Sequence, residues 1–166
     1  MGLPPLSGYA TASGCRPRRN SVVTPEQTTL IRYRMDRARE SLEEARLLLD
    51  AGRLNGSVNR LYYACFYAVS ALLLTQGQSS SKHSGVRALF DREWINTDKV
   101  PREVGRLYRK LFNSRQQGDY SDLVQFQETE VRAWLAQATQ LVELLARQVE
   151  DVLSARGHSD DVITDP

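Results

Sequence analysis

One stretch limits what this chain can become: Leu61 to Leu74, reading LYYACFYAVSALLL, in which Ser70 alone is frankly polar. Between Leu54 and Ser81 the single charge is Arg60, directly before the run. An apolar segment of this length suits a helix buried on nearly every side, and it falls short of the ~20 residues that a bilayer span needs. Tyr62, Tyr63 and Tyr67 each carry a hydroxyl that needs a partner once inside. The pattern predicts a greasy central helix with a polar entrance, Asn59 to Tyr63, around which other helices pack.

The flanking sequence predicts those other helices. Thr24 is placed to cap a first helix, with Pro25 at its first position and Gln27 completing a capping box. Ile31, Met35, Ala38, Leu42, Ala45 and Leu49 then recur at alternating steps of four and three, with a charged face between them. Gly52 ends this helix in a left-handed cap, and a short connection makes the second helix, about Leu54 to Gln76, its antiparallel neighbour. A third, shorter helix is expected over 81–92, with Trp94 and Ile95 sealing the core under a loop to Val100. Pro101 opens a fourth helix ending at Gly118, followed by a loop through Asp119, Tyr120, Ser121 and Asp122. A last helix carries Val131, Trp134, Ala138, Leu141, Leu145 and Val149 up to Gly157. No segment alternates with period two, so the expectation is an all-α fold, an antiparallel up-and-down four-helix bundle with an additional short helix.

The division of the chain follows from composition. Residues 1–23 mix Gly, Pro and Ser without period and hold Arg16, Arg18 and Arg19, so they read as a disordered N-terminal tail. Residues 24–156 form the bundle, and 157–166, with three aspartates, a flexible acidic tail. With both ends set aside the charges nearly balance, so charge alone does not declare nucleic-acid binding. Cys15 and Cys65 are isolated, as expected in a reducing, cytoplasmic compartment, and no apolar stretch after Met1 suggests a signal peptide or a membrane association.

Several chemistries lack their residues. There is no Gly-rich phosphate loop, no Gly-x-Ser-x-Gly, and no His/Cys set at zinc spacing, so neither metal nor cofactor is expected. Three polar groups stand where a plain bundle would not need them: Asn59, Arg60, Tyr62 and Tyr63; Lys82 and His83; and Ser114, Arg115, Asp119 and Tyr120. A charge directly before a buried run must reach water or meet an opposite charge. Asp119 is the anticipated partner of Arg60, which would bring Arg60 and the Arg115–Asp119 segment together. Each group also has a structural reading: an Arg115–Asp119 brace closing helix four, His83 as a cap, and the tyrosines as core.

The runs RLYYACFYAVSALLL, KHSGV and SRQQGDY, in that order, resemble a small stand-alone prokaryotic branch of the HEPN domains (higher eukaryotes and prokaryotes nucleotide-binding) over roughly residues 31–153. The resemblance implies a four-to-five-helix bundle that homodimerises. It implies a toxin–antitoxin-like module with a minimal nucleotidyltransferase as partner, RNA or a nucleotide as ligand, and metal-independent RNA cleavage by an arginine and a histidine four to six residues later. In that chemistry arginine stabilises charge on the phosphate and histidine moves the proton of the ribose 2′-hydroxyl. Arg115 stands at the arginine position, but Asp119 and Tyr120 follow and no histidine is in range. Catalysis would then rest on Arg115 with Asp119 or His83, and RNA or nucleotide binding on Asn59, Arg60, Tyr63 and Tyr120. The resemblance also offers Tyr120 as a site for adenylate transfer by the partner. The alternative is a non-catalytic dimerisation or binding module.

Overall fold

The computed structural model describes residues 23–120 and 125–157, with the side chains of 118–120, 156 and 157 also left aside. Five α-helices follow one another: α1 (Pro25–Asp50), α2 (Leu54–Leu74), α3 (His83–Phe90), α4 (Arg102–Tyr120) and α5 (Glu128–Gly157). Among the described residues there is no strand. The expected acidic tail and most of the expected N-terminal tail lie outside the described residues, while Val23 packs against the core.

α1 starts as its sequence dictates. Thr24 Oγ1 accepts from the Gln27 amide at 3.2 Å, and Gln27 Oε1 accepts from the Thr24 amide at 3.0 Å, closing the capping box. It ends at Gly52, whose φ of 69° is open only to a residue without a Cβ penalty, with the Arg53 amide bonded back to the Leu48 carbonyl. α2 closes in the same way at Gly77, φ 68°, with the Gln78 amide on the Leu73 carbonyl. The three-residue link folds α2 back along α1.

α2 is the hub and packs against α1, α3, α4 and α5. The α1 and α2 faces carry small buried side chains, Ala38, Ser41 and Ala45 on α1 and Ser57, Ala64 and Ala68 on α2. Ser57 Oγ donates across this seam to the Ala45 carbonyl at 2.8 Å. Leu42, expected in the stripe, packs only partly, and Ser41 takes the fully buried place beside it. On the opposite face of α1 the ion pairs Arg37 to Glu40, Asp36 to Arg39 and Glu43 to Arg46 are all i,i+3.

Two expectations need correction. Trp94 and Ile95 do seal the core, but the helix expected to end near 92 does not stop there: α3 runs on into one wide turn, Asp91–Ile95, whose i→i+5 bond joins the Asn96 amide to the Asp91 carbonyl at 2.8 Å. The extra residue swings both side chains inward, where Ile95 rests against Gly105 of α4. Nor does α4 stop at Gly118; it continues to Tyr120. A glycine inside a helix costs about 1 kcal/mol relative to alanine, too little to end a helix held by packing on α2. Arg115, Asp119 and Tyr120 therefore stand on helical backbone and not in a connecting loop.

Candidate functional site

The polar entrance of α2, the first residue of α3 and the C-terminal half of α4 converge at one end of the bundle. Tyr62 is the pivot. Its ring is fully buried, lies parallel to Tyr108 at 6.1 Å between centroids, and meets the edge of Phe112 at 5.9 Å. Its hydroxyl emerges at His83, 2.6 Å from Nδ1. The His83 ring stacks flat on Phe66, centroids 4.4 Å apart and planes within 9°, and meets Tyr63 nearly at right angles. These aromatic contacts fix the plane of the imidazole.

His83 reaches this position by the turn before it. Ser80 Oγ accepts from the Lys82 amide at 3.2 Å and donates to the Lys82 carbonyl at 3.3 Å. A Cβ on Gly85 would come within 2.2 Å of Ser80 Oγ, so the glycine is what lets this turn fold over the start of α3. The helix has Lys82 at its N-cap with no side-chain cap bond; the preceding serine shapes the turn instead of capping the helix.

Arg115 arrives from α4. Its guanidinium carbon lies 5.1 Å from the ring centres of both Tyr62 and Tyr63, and Nη1 points at His83 Nδ1 from 3.4 Å. Tyr63 has a second cation on it, with Arg60 Cζ at 5.0 Å. Arg60 and Arg115 thus meet across one phenol ring. The carboxylate beside Arg60 is Glu44 of α1, at 3.1 Å, with Asn59 Oδ1 accepting a further bond at 3.0 Å. The anticipated Arg60–Asp119 meeting, and any part played by Tyr120, fall on side chains outside the described residues.

Electrostatics follow from this crowding. The His83 pKa is lowered, first by burial and then by the Arg115 charge, so the ring is neutral at pH 7. Burial pushes the Tyr62 phenol up to about 12 and Tyr108 well above its usual value, so both hydroxyls keep their protons. The Cys65 thiol, wholly buried, is likewise pushed up to about 12 and is an inert part of the core. Among the described residues no cluster of His, Cys, Asp or Glu could hold a metal, and no helix is long and apolar enough to cross a membrane.

Of the residues named from sequence, His83, Arg115 and Tyr63 come together, and Asn59 and Arg60 line the approach. Tyr62 was read with the entrance group but not as a site residue, and Phe66 only as part of the apolar run, yet both hold His83. The available signal was that Tyr62 needs a hydrogen-bond partner on a helix otherwise without one.

This constellation lies within a match to the HEPN domain that covers residues 31–149. The "UPF0332 protein" of Thermotoga maritima is 47% identical over 130 residues, spanning 78% of this chain and 98% of the relative. Two proteins of Methanocaldococcus jannaschii are also similar. "Putative toxin MJ0142" is 34% identical over 58% of this chain and 65% of its own length. "Putative toxin MJ0605" is 29% identical over 70% of this chain and 86% of its own length. A match running from α1 to the last turns of α5, with a near full-length relative at this identity, settles the kinship: the chain belongs to the HEPN domain family.

Proposed function

We propose that this protein is the HEPN half of a toxin–antitoxin-like module and that the Arg115–His83 end of the bundle binds the phosphate backbone of RNA and cleaves it without a metal. The observation that carries this reading is the pairing of Arg115 and His83 at 3.4 Å, both half-buried, from helices far apart in sequence. His83, 32 residues before the arginine, lies against it in space, while no histidine follows the arginine at the family's spacing. The two relatives named as toxins support the same direction.

In this reading Arg115 and Arg60, which share the Tyr63 ring, receive a phosphate. Neutral His83 takes the proton of the ribose 2′-hydroxyl as the 2′-oxygen attacks phosphorus. The bond to O5′ breaks, O5′ takes a proton from solvent, and the products are a 2′,3′-cyclic phosphate and a 5′-hydroxyl. The guanidinium meets the charge that develops on the non-bridging oxygens, a role typically worth 10²–10³ in rate for one such donor. The partner would be a minimal nucleotidyltransferase that silences the site by adenylate transfer to Tyr120, and the active form a homodimer.

Ribonuclease assays on wild type, Arg115→Ala and His83→Gln test the reading. Cleavage in wild type with loss in both variants is the expected result; equal activity in all three sinks it. The second reading, a module that binds RNA without cutting it, is favoured by one observation: His83 Nδ1 is already engaged by Tyr62. Tight RNA binding by wild type, abolished in Arg115→Ala with no cleavage in either, would establish that reading instead.

A further inference from the structure

The contacts around His83 favour one placement of its ring proton. A guanidinium has only donors, so Arg115 Nη1 pointing at Nδ1 requires a lone pair there. The Tyr62 hydroxyl, 2.6 Å from the same atom, must then donate as well. Both contacts are met together when the proton of the neutral ring sits on Nε2, and in that tautomer the one ring lone pair faces Tyr62 and Arg115 rather than a substrate. Tyr62 differs from Arg115 in one respect: a hydroxyl can turn and accept. If Arg115 swings away, Nδ1–H can donate to Tyr62 Oη, and Nε2 gains the lone pair.

We propose that Tyr62 and Arg115 form a tautomer switch on His83: an anion that draws the Arg115 guanidinium away lets the ring lose its Nε2 proton to solvent and take one up at Nδ1, where Tyr62 Oη accepts the Nδ1–H hydrogen bond. This deepens the RNA reading above, since the base would be unmasked only when a phosphate is in place. Tyr62 is the positioning residue. Among the described residues, Tyr62 and Tyr63 from α2 and Arg115 from α4 are the titratable groups with contacts to the ring, and Lys82 precedes it in the chain. The switch needs no large motion, because the Arg115 contact is already at the long end of hydrogen-bond geometry. The imidazole stays clamped on Phe66 throughout.

Nitrogen-15 spectra of the imidazole rings read the tautomer directly, and comparison with His83→Gln separates His83 from His158, the other histidine of the chain. Sulfate is the probe, because it does not titrate near neutrality. At pH 7.5 the free protein is expected to show His83 with its proton on Nε2, and saturating sulfate to reverse the major tautomer. Arg115→Ala should show both tautomers without sulfate. Tyr62→Phe should keep the Nε2–H form in the free protein and fail to switch. Should Tyr62→Phe not fold, Arg115→Ala carries the test alone. A free protein with Nδ1–H, an unchanged ring under saturating sulfate, or no saturable sulfate effect overturns the switch. A ring that switches in a protein that cuts no RNA leaves the switch standing and rejects the ribonuclease reading.

Discussion

The two halves of α2 are built from similar residues and do opposite work. From Ala64 to Leu74 the helix is sealed by small and branched side chains, with all but Phe66 and Tyr67 buried. From Asn59 to Tyr63 the same helix meets two arginines, a carboxylate and an imidazole. The lower half gains stability from close approach to α1. The upper half spends part of that stability holding a neutral histidine beside a cation. The difference teaches that aromatic residues in one run are not interchangeable: Tyr62 is wholly inside the core yet reaches the site through its hydroxyl alone.

The sharpest way to separate the halves is to damage each in turn. Leu72→Ala, at a fully buried position, should lower unfolding free energy by about 3 kcal/mol in urea titrations while leaving sulfate affinity unchanged in the folded fraction. Arg115→Ala should do the reverse, weakening RNA or sulfate binding at least tenfold, since a direct charge-assisted contact is worth about 1.5–3 kcal/mol, with little effect on denaturant midpoint. Gly85→Ala should cost about 1–2 kcal/mol, because its Cβ would press on Ser80 Oγ. Adding Ser80→Ala relieves the contact with Oγ but removes its two bonds to Lys82, so the double variant should recover only part of that loss, and full recovery would mean that those bonds do not hold the turn.

A smaller effect is expected from pH. His83 has a lowered pKa in the folded protein, so the unfolded chain binds its proton first as pH falls. The stability contributed by the neutral ring is fully present above its unfolded pKa of about 6.5 and is lost as pH falls through the folded value. Wild type should therefore lose more stability than His83→Gln between pH 7.5 and pH 5, as followed by thermal melts. Parallel curves would remove the charge conflict between His83 and Arg115. Last, Arg60→Ala should change stability by no more than about 1 kcal/mol, because its pair with Glu44 is part exposed to water.

Much of the bundle was legible before any coordinates. Helical period, the Thr24–Gln27 capping box and the glycines at 52 and 77 are local signals, and local chemistry decides helix starts and stops. The two misplaced boundaries have physical causes of another kind. Gly118 suggests an end by propensity alone, but a helix docked on α2 outlasts one unfavourable residue. The wide turn at Asp91–Ile95 leaves no period to detect, since one inserted residue breaks it.

At the site, residue types pointed to Arg115, His83 and the Tyr62–Tyr63 pair, and the missing histidine after Arg115 could be noticed from the order of residues alone. By itself the sequence determined that α2 would be central, that its entrance would be polar, and that no histidine follows Arg115. Only the tertiary structure decided that His83 meets Arg115, that Glu44 meets Arg60, and that Tyr62 serves the imidazole rather than the core alone. The reason is distance along the chain. Contacts 16, 21 and 32 residues apart depend on how helices cross, and no local pattern encodes a crossing.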